Sequence, residues 1–204
     1  MKKYCYENYT SIDDLQQVII QHMTGFYTRN GDDGFTGLLS EGRVPKYHPI
    51  PETVGTLDEA TASLGLARAT CKSELAQSIL LVVQRDLYAM MAEISASPEN
   101  ASRFRKIDQQ RVTWLEAQTD RTTEMVEMPK EFILPGDSPA GGALALARTV
   151  VRRAERQTAS LVHQKIVENE QILPYLNRLS SLCFSLELLE NKEYGKNSPT
   201  LARE

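Results

Sequence analysis

Four arginines and one glutamate fall within nine residues of the chain, in a segment with helical spacing. Arg148, Arg152 and Arg156 recur at every fourth residue, with Arg153 and Glu155 beside them, so the three lie on one side of a helix. Arginine binds phosphate through paired hydrogen bonds, and this concentration of arginine in an acidic protein indicates a phosphate-binding site. The alternative is the solvated face of an amphipathic helix, which explains the spacing equally well.

A glycine-rich segment, Thr28 to Gly37, is a second candidate for anion binding. Its sequence is T-R-N-G-D-D-G-F-T-G; glycines let backbone amides crowd around an anion, and the hydroxyls add donors. Arg29 supplies positive charge, and Asp32 or Asp33 could reach a metal ion bound to phosphate. The segment is not a Walker A loop, since no G-K-[ST] follows. The alternative is an exposed turn, because N-G and D-G are common turn dipeptides.

Two smaller polar groups interrupt segments with helical spacing. Asn177 and Arg178 break the apolar run around Tyr175 and Ser180, where they act either as ligands or, more commonly, as surface positions. Asp58 and Glu59 stand near the predicted start of an earlier helix. Favourable interaction with the helix dipole is sufficient to explain those two acids.

The overall composition is that of one globular domain, and it disfavours several classes of function. The 204 residues are 41% hydrophobic and 25% charged, with a formal net charge of -4, which does not favour nucleic-acid or anionic-membrane binding. The three cysteines and three histidines show neither a disulfide framework nor metal-ligand spacing, so no protein-bound metal site is predicted. No run of eighteen apolar residues and no signal peptide are present, and a cytoplasmic location is expected.

Hydrophobic spacing predicts an all-α protein, a five-helix bundle with a glycine-rich N-terminal loop and an extra N-terminal helix. The extra helix is predicted at Ser11 to Met23, and the segment from Thr24 to Pro51 has too many glycines and prolines for a helix. The predicted domains are an N-terminal helical extension at 1–24, the bundle at 25–192 and a loose polar tail at 193–204. The bundle helices are predicted at Glu52 to Ala69, Glu74 to Ile94, Asp108 to Val126, Ala140 to Glu168 and Gln171 to Lys192, with an extended link at Phe132 to Gly136.

Five ordered blocks, between about Tyr27 and Asn191, resemble the PduO-type ATP:cob(I)alamin adenosyltransferases. The family pattern T-R-T-G-D-x-G-x-T and the lysine that follows it correspond to Thr28 to Thr36 and Lys46. The pattern G-x-x-D-E-L-N-S corresponds to Gly55 to Ala62, and F-I-L-P-G-G corresponds to Phe132 to Asp137. The pattern A-R-T-x-x-R-R-A-E-R corresponds to Ala147 to Arg156, and Y-L-N-R-L-S-D corresponds to Tyr175 to Ser181. Each block alone is modest, but their common order makes coincidence a poor explanation.

The resemblance implies a ferritin-like helical bundle, a homotrimer with sites between subunits, and a specific reaction. Such an enzyme transfers the 5′-deoxyadenosyl group of ATP to the cobalt of cob(I)alamin or a related corrinoid, with release of triphosphate. Magnesium is expected to be held mainly by the ATP phosphates. A reductase and an adenosylcobalamin-dependent enzyme are the further partners that the resemblance suggests.

The resemblance also assigns roles to individual residues. Arg148 and Arg152 match catalytic arginines, and Asp58 matches an aspartate that pairs with the position of Arg148 across the subunit boundary. Phe132 matches an aromatic residue that faces the corrinoid; filling of core space is its alternative role. The expected ATP-binding residues are Thr28, Arg29, Asn30, Gly31, Asp32, Gly34, Thr36, Gly37, Lys46, Arg152, Arg153, Glu155, Arg156 and Asn177.

Several positions depart from the family pattern. Thr61 replaces an asparagine, Ala145 a histidine, Ser181 an aspartate and Leu188 an arginine, while Asp137 replaces a glycine and brings negative charge near the phosphate site. The departures at Asp137, Ser181 and Leu188 favour a second hypothesis, a catalytically weakened relative that binds ATP or adenosylcobalamin as a carrier, sensor or scaffold. The intact arginine block opposes that hypothesis.

Overall fold

The structure, a computed structural model, describes residues 27, 29–40 and 42–203. In this part of the chain there are six helices and one antiparallel pair of short strands. They are β1 (Phe35–Gly37), β2 (Arg43–Pro45), α1 (Pro49–Thr70), α2 (Glu74–Ser95), α3 (Pro98–Phe104), α4 (Gln109–Thr123), α5 (Pro139–His163) and α6 (Ile172–Glu193). The all-α prediction is confirmed, whereas the extra helix predicted at Ser11 to Met23 lies outside the described residues.

Side-chain caps and prolines mark the starts of the helices, as the local sequence leads one to expect. Ser73, Asp108 and Ser138 each accept a hydrogen bond from the backbone N–H three residues on, at 3.3, 2.8 and 2.9 Å. α1, α3 and α5 each have proline in the first turn, where its missing N–H has no partner to lose. These signals place the helix starts more firmly than the hydrophobic pattern alone.

Buried polar contacts fix which helix ends lie together. The Glu190 carboxylate accepts hydrogen bonds from the backbone N–H groups of Lys72 and Ser73, at 2.8 and 3.1 Å, so the end of α6 meets the start of α2. Ser138 donates to Asn191 at 2.7 Å, which brings the start of α5 to the same end of the bundle. We call this the Glu190 end. The C-terminus of α2 lies about 33 Å away, because an α-helix rises about 1.5 Å per residue.

A second buried cluster joins three helices through an acid. The Asp86 carboxylate of α2 accepts hydrogen bonds from Arg111 of α4, at 2.5 Å, and from the hydroxyl of Tyr175 of α6, at 2.7 Å. Burial, and then the neighbouring Asp86 charge, raises the pKa of Tyr175 well above its usual value. Tyr175 is completely buried, so it holds the bundle together and does not face a ligand.

Two kinds of local detail differ from the expectations. β1, β2 and α3 are too short to give a recognisable hydrophobic period, so the pattern did not predict them. α5 ends at His163 and not at Glu168, because Lys165 has a positive φ of 58° and the backbone leaves the helix there. No glycine marks this stop in the sequence.

The C-terminal residues are not the loose tail that their polar sequence suggests. The N–H of Leu134 donates to the carbonyl of Thr200, and the N–H of Ala202 donates to the carbonyl of Phe132, both at 2.8 Å. Ile133 and Leu201 therefore pair in an antiparallel bridge. Since these bonds belong to the backbone, side-chain polarity gave no sign of them.

Candidate active site

The link between α4 and α5 forms one wall of a cavity of about 650 Å³ toward the Glu190 end of the bundle. The link contributes Phe132, α5 contributes Arg148 and Arg152, and α6 contributes Ser181 and Glu187. Its volume lies within the range of small-molecule sites in proteins. Residues from three separate sequence blocks thus meet at one cavity, which their spacing along the chain does not itself dictate.

Phe132 presents its side chain to the surroundings of the chain and not to the core. It is 88% exposed, although its carbonyl is fixed by the hydrogen bond from Ala202. The alternative that Phe132 fills core space is therefore wrong for this chain. An exposed phenylalanine on a braced backbone is available to contact an apolar ligand at the mouth of the cavity.

Arg148 and Glu187 face the same cavity with unused hydrogen-bonding capacity. The Nε of Arg148 is buried and has no hydrogen-bond partner among the described residues. Glu187 is only 2% exposed. Burial raises its pKa to about 7, Arg148 opposes the rise, and Asp137 adds to it. These two side chains are the strongest candidates in the cavity wall for direct contact with a bound polar group.

The remaining residues of the arginine block are divided among different partners. Arg153 forms an ion pair with Glu59 of α1, and Asn177 donates to Glu155 at 2.9 Å. The guanidinium of Arg156 donates to the carbonyl of Arg152 at 3.0 Å. The block is thus neither a uniform phosphate-binding face nor a uniform solvated face, since only Arg148 and Arg152 line the cavity.

The glycine-rich loop is braced by Arg43, a residue that the sequence reading did not single out. Its guanidinium binds both oxygens of Asp33, at 2.9 and 2.7 Å, and the carbonyl of Phe35, at 2.9 Å. It also donates to the carbonyl of Asn30. The hydrogen bonds from Arg43 lower the pKa of Asp33. Asp33 therefore supports the loop, although its side chain, like that of Asp32, is exposed.

Two glycines of this loop have different structural consequences. Gly34 has a φ of +81°, which other residues adopt only with strain. At Gly31 an added Cβ would lie 3.0 Å from Nζ of Lys46, so glycine lets the lysine ammonium approach the loop backbone. Lys46 is therefore next to the loop, where the family pattern predicts a phosphate contact.

The loop and the cavity lie apart within one chain. Leu39 donates its N–H to the carbonyl of Ser95 at 2.9 Å, which fastens the loop to the C-terminus of α2. None of the described loop residues lines the cavity near Phe132. The predicted ATP residues are therefore not gathered into a single site by this chain alone, and Thr28 lies outside the described residues.

Asp58 lies well inside its helix and not near the helix start, where the sequence pattern placed it. It is the tenth residue of α1, which begins at Pro49, so it lies beyond the first turn where the helix dipole acts. The dipole explanation is therefore wrong for Asp58 and for its neighbour Glu59. The Asp58 side chain is exposed, whereas Glu59 is paired with Arg153.

Asp137 faces the tail and not the arginines. Its carboxylate accepts hydrogen bonds from the N–H and the hydroxyl of Thr200, at 2.8 and 2.6 Å, and these bonds lower its pKa. The other departures are also accommodated: the Thr61 hydroxyl donates to Leu57 within its own helix, and Leu188 is buried. Ser181 is exposed in the cavity wall.

Glu187 was missed because a glutamate in a helix usually belongs to the solvated face. The available signal was its setting, a single charge between Cys183 and Leu189 in an otherwise apolar or small-residue run. Among the described residues there is no group of three His, Cys, Asp or Glu side chains arranged to hold a metal ion. None of the described helices is long and apolar enough to cross a bilayer.

Comparison with known proteins decides the family. Residues 26–190 match the family model described as cobalamin adenosyltransferase. The chain belongs to the cobalamin adenosyltransferase family. It is 38% identical over 168 residues to corrinoid adenosyltransferase PduO of Salmonella typhimurium, covering 82% of this chain and 50% of that protein. It is 35% identical over 173 residues to the corrinoid adenosyltransferase of Bacillus subtilis, covering 83% and 88% of the two chains.

Solved structures of the family share this fold. A single-residue variant of the PduO-type ATP:corrinoid adenosyltransferase from Lactobacillus reuteri, complexed with cobalamin and ATP, superposes with a TM-score of 0.77 at 29% identity, covering 88% of this chain and 100% of that one. The chain spans about half the length of the PduO relatives from Salmonella typhimurium and Citrobacter freundii, 50% and 51%. The family membership and the fold predicted from the sequence blocks are thereby confirmed.

Proposed function

We propose that this chain is an ATP:corrinoid adenosyltransferase, which transfers the 5′-deoxyadenosyl group of ATP to the cobalt of a reduced corrinoid and releases triphosphate. The observation that carries the proposal is the meeting of exposed Phe132 with Arg148 and Arg152 at one cavity. An apolar surface beside two guanidinium groups suits a reaction between a large, largely apolar ring and a polyanion. Membership of the cobalamin adenosyltransferase family supports the same reaction.

The cavity residues contribute to the reaction by positioning the substrates and by compensating negative charge. Phe132 excludes water and a lower axial ligand from one face of the cobalt, so that the metal is easier to reduce and stays nucleophilic. Arg152 stabilises the negative charge that builds on the departing triphosphate, and Arg148 adds to the positive field in the cavity wall. Holding the 5′-carbon of ATP over the cobalt places the two reacting atoms next to each other, so the displacement no longer depends on their meeting by diffusion.

The glycine-rich loop contributes backbone donors and the Lys46 ammonium to the phosphates. Because this loop is fastened at the far end of α2, we propose that the loop of one subunit meets the cavity of its neighbour in a homotrimer. Exposed Asp58 would then reach Arg148 across the boundary, as the family pattern suggests. The homotrimer, the reductase and adenosylcobalamin-dependent partners, and the cytoplasmic location remain predictions.

Magnesium fits this arrangement as a companion of ATP. The Asp32 side chain is exposed beside the loop, and Asp33 is already held by Arg43, so the chain offers at most a carboxylate to a metal that the phosphates hold. When bound, magnesium would neutralise part of the triphosphate charge. The arginines and Lys46 provide the remaining compensation.

The test is an adenosylation assay under reducing conditions. Cob(I)alamin and magnesium-ATP are mixed with the protein, and conversion to adenosylcobalamin is followed by absorbance while triphosphate is measured as the second product. Equal rates of appearance of the two products are expected. Binding of ATP and corrinoid without turnover would favour the carrier, sensor or scaffold hypothesis. The structure weakens one argument for that hypothesis, the negative charge of Asp137, because Asp137 binds Thr200 and not the arginines.

A further inference from the structure

We propose that Glu187 recognises the amide periphery of the corrinoid, binding one primary amide arm of the ring jointly with Arg148. This inference rests on the proposed function, because it names a substrate contact in the same cavity. It assigns a role to a residue outside the five sequence blocks.

The geometry of Glu187 is that of a ligand-binding group. Its side chain lines the cavity and is 2% exposed. Among the described residues it forms no hydrogen bond, and no ion pair within 4.0 Å involves it. A buried carboxyl group without a partner is unfavourable for folding. A group that costs stability and faces a cavity is a candidate for function.

Arg148 supplies the complementary half of the contact. Its Nε is buried and has no hydrogen-bond partner in the described part of the chain, and its charge lowers the pKa of Glu187. Because a guanidinium carries five N–H donors, the proposed pairing with Asp58 of the partner subunit leaves Arg148 donors for a ligand. A carboxylate accepts hydrogen bonds, and a guanidinium only donates them. A ligand that satisfies both must therefore offer a donor and an acceptor side by side.

A primary amide meets this requirement, and a phosphate does not. The NH2 group of an amide donates to the carboxylate while its carbonyl accepts from the guanidinium. Corrinoids carry primary amide arms around the ring, whereas the triphosphate of ATP has only acceptor oxygens and would be repelled by ionised Glu187. The corrinoid is therefore the better occupant of this part of the cavity.

The charges around Glu187 come from each element that packs near it. Arg148 and Arg152 belong to α5, Lys130 and Glu131 to the link, and Asp137 to the turn before α5, while Cys183 is on the same helix. Burial raises the pKa of Glu187 to about 7. The carboxylate, which is the stronger acceptor, is therefore gained as the pH rises through about 7, and corrinoid affinity is expected to rise with it.

The test compares the parent protein, Glu187→Leu, Glu187→Gln and, as a matched control, Glu193→Leu on an exposed part of the same helix. The dissociation constant for cob(II)alamin is measured in the presence of ATP, together with that for ATP itself. Glu187→Leu is expected to bind cob(II)alamin about tenfold or more weakly, the loss typical of a charge-assisted hydrogen bond. Glu187→Gln should restore part of the affinity and abolish its rise with pH, and ATP affinity should stay unchanged.

A second probe identifies the amide directly. Cobalamin monocarboxylic acids, each with one peripheral amide replaced by a carboxylate, are titrated against the parent and Glu187→Gln. The parent should reject at least one of them relative to cobalamin, and Glu187→Gln should lose much of that discrimination, because a glutamine NH2 can donate to the new carboxylate. A parent that binds all of them like cobalamin contradicts the inference.

Folding and function are separated in the same set of variants. If Glu187 recognises a ligand, Glu187→Leu unfolds at a higher urea concentration than the parent while binding the corrinoid more weakly. If Glu187 only supports the fold, the variant is less stable and its folded fraction binds normally, which overturns the inference. If the parent is active and Glu187→Leu binds the corrinoid normally, this inference alone is rejected. If the parent is inactive, the proposed function is rejected.

Discussion

Replacing Phe132 by alanine separates a role in the core from a role toward the corrinoid. Truncating a buried phenylalanine typically lowers the free energy of unfolding by about 3–5 kcal/mol. Phe132 is 88% exposed within the chain, and substitutions at exposed positions usually stay within about 0.5 kcal/mol. The structure therefore predicts a change of at most about 0.5 kcal/mol for Phe132→Ala in the isolated chain.

The stability measurement is urea unfolding followed by circular dichroism, with Phe104→Ala as the matched control. Phe104 is only 4% exposed, so its truncation should cost about 3–5 kcal/mol. A loss of this size at Phe132 as well would contradict the description of Phe132 as an exposed side chain. Equal midpoints for Phe132→Ala and the parent are the expected outcome.

The functional half of the prediction concerns the coordination of cobalt. With ATP and cob(II)alamin, the parent should show the electron paramagnetic resonance signal of a four-coordinate species if Phe132 excludes the lower ligand as proposed. Phe132→Ala should still bind ATP but give much less of that signal and a lower rate of adenosylation. An undiminished four-coordinate signal in the variant would refute the role of Phe132 in controlling the cobalt.

Four further outcomes are expected. Arg148→Ala and Arg152→Ala should each lower kcat by about a hundredfold, equivalent to about 3 kcal/mol of transition-state stabilisation, and near-parent rates at saturating ATP would exclude them from the mechanism. Sedimentation should show a trimer, and Asp58→Ala should lower activity by removing the neighbour's counter-charge; an active monomer would contradict both. For Glu187, the folded pKa of about 7 exceeds the ordinary value of 4.5, so the folded state holds its proton more tightly and stability falls as the pH rises between these values. The unfolding free energy of Glu187→Gln should therefore exceed that of the parent, and the difference should grow between about pH 4.5 and pH 7 to about 1–3 kcal/mol and then level off. A difference that stays constant with pH would show that Glu187 does not titrate in this range. Asp137→Ala should release the tail and speed its cleavage by protease, and unchanged cleavage would show that its bonds to Thr200 do not hold the tail.

The bundle was predictable because its helices bury continuous apolar stripes. α2 and α5 repeat apolar residues at helical spacing, and Ser73 and Ser138 mark their starts. The shortest elements were not predictable, because β1 and β2 span only three residues each and no period can develop over that length. The bonds of the tail to the link were missed for a related reason: they join backbone groups from distant parts of the chain.

The candidate site was only partly predictable. The sequence blocks singled out Phe132, Arg148 and Arg152, and the structure brings these three to one cavity. Helical spacing alone did not reveal Glu187, although its setting as a single charge in an otherwise apolar or small-residue run was an available signal. Nor could it reveal that Arg43 braces the glycine-rich loop, because that contact depends on the turn between β1 and β2.

The adenosyl transfer is proposed to take place at the cavity formed by Phe132, Arg148 and Arg152. A crystal structure of the protein with cob(II)alamin and ATP tests it most directly. The corrin ring is expected against Phe132, the triphosphate at Arg152, and the 5′-carbon of ATP on the open face of the cobalt, aligned for attack at about 3–3.5 Å. A corrinoid bound elsewhere on the bundle, with the 5′-carbon far from the cobalt, would contradict it.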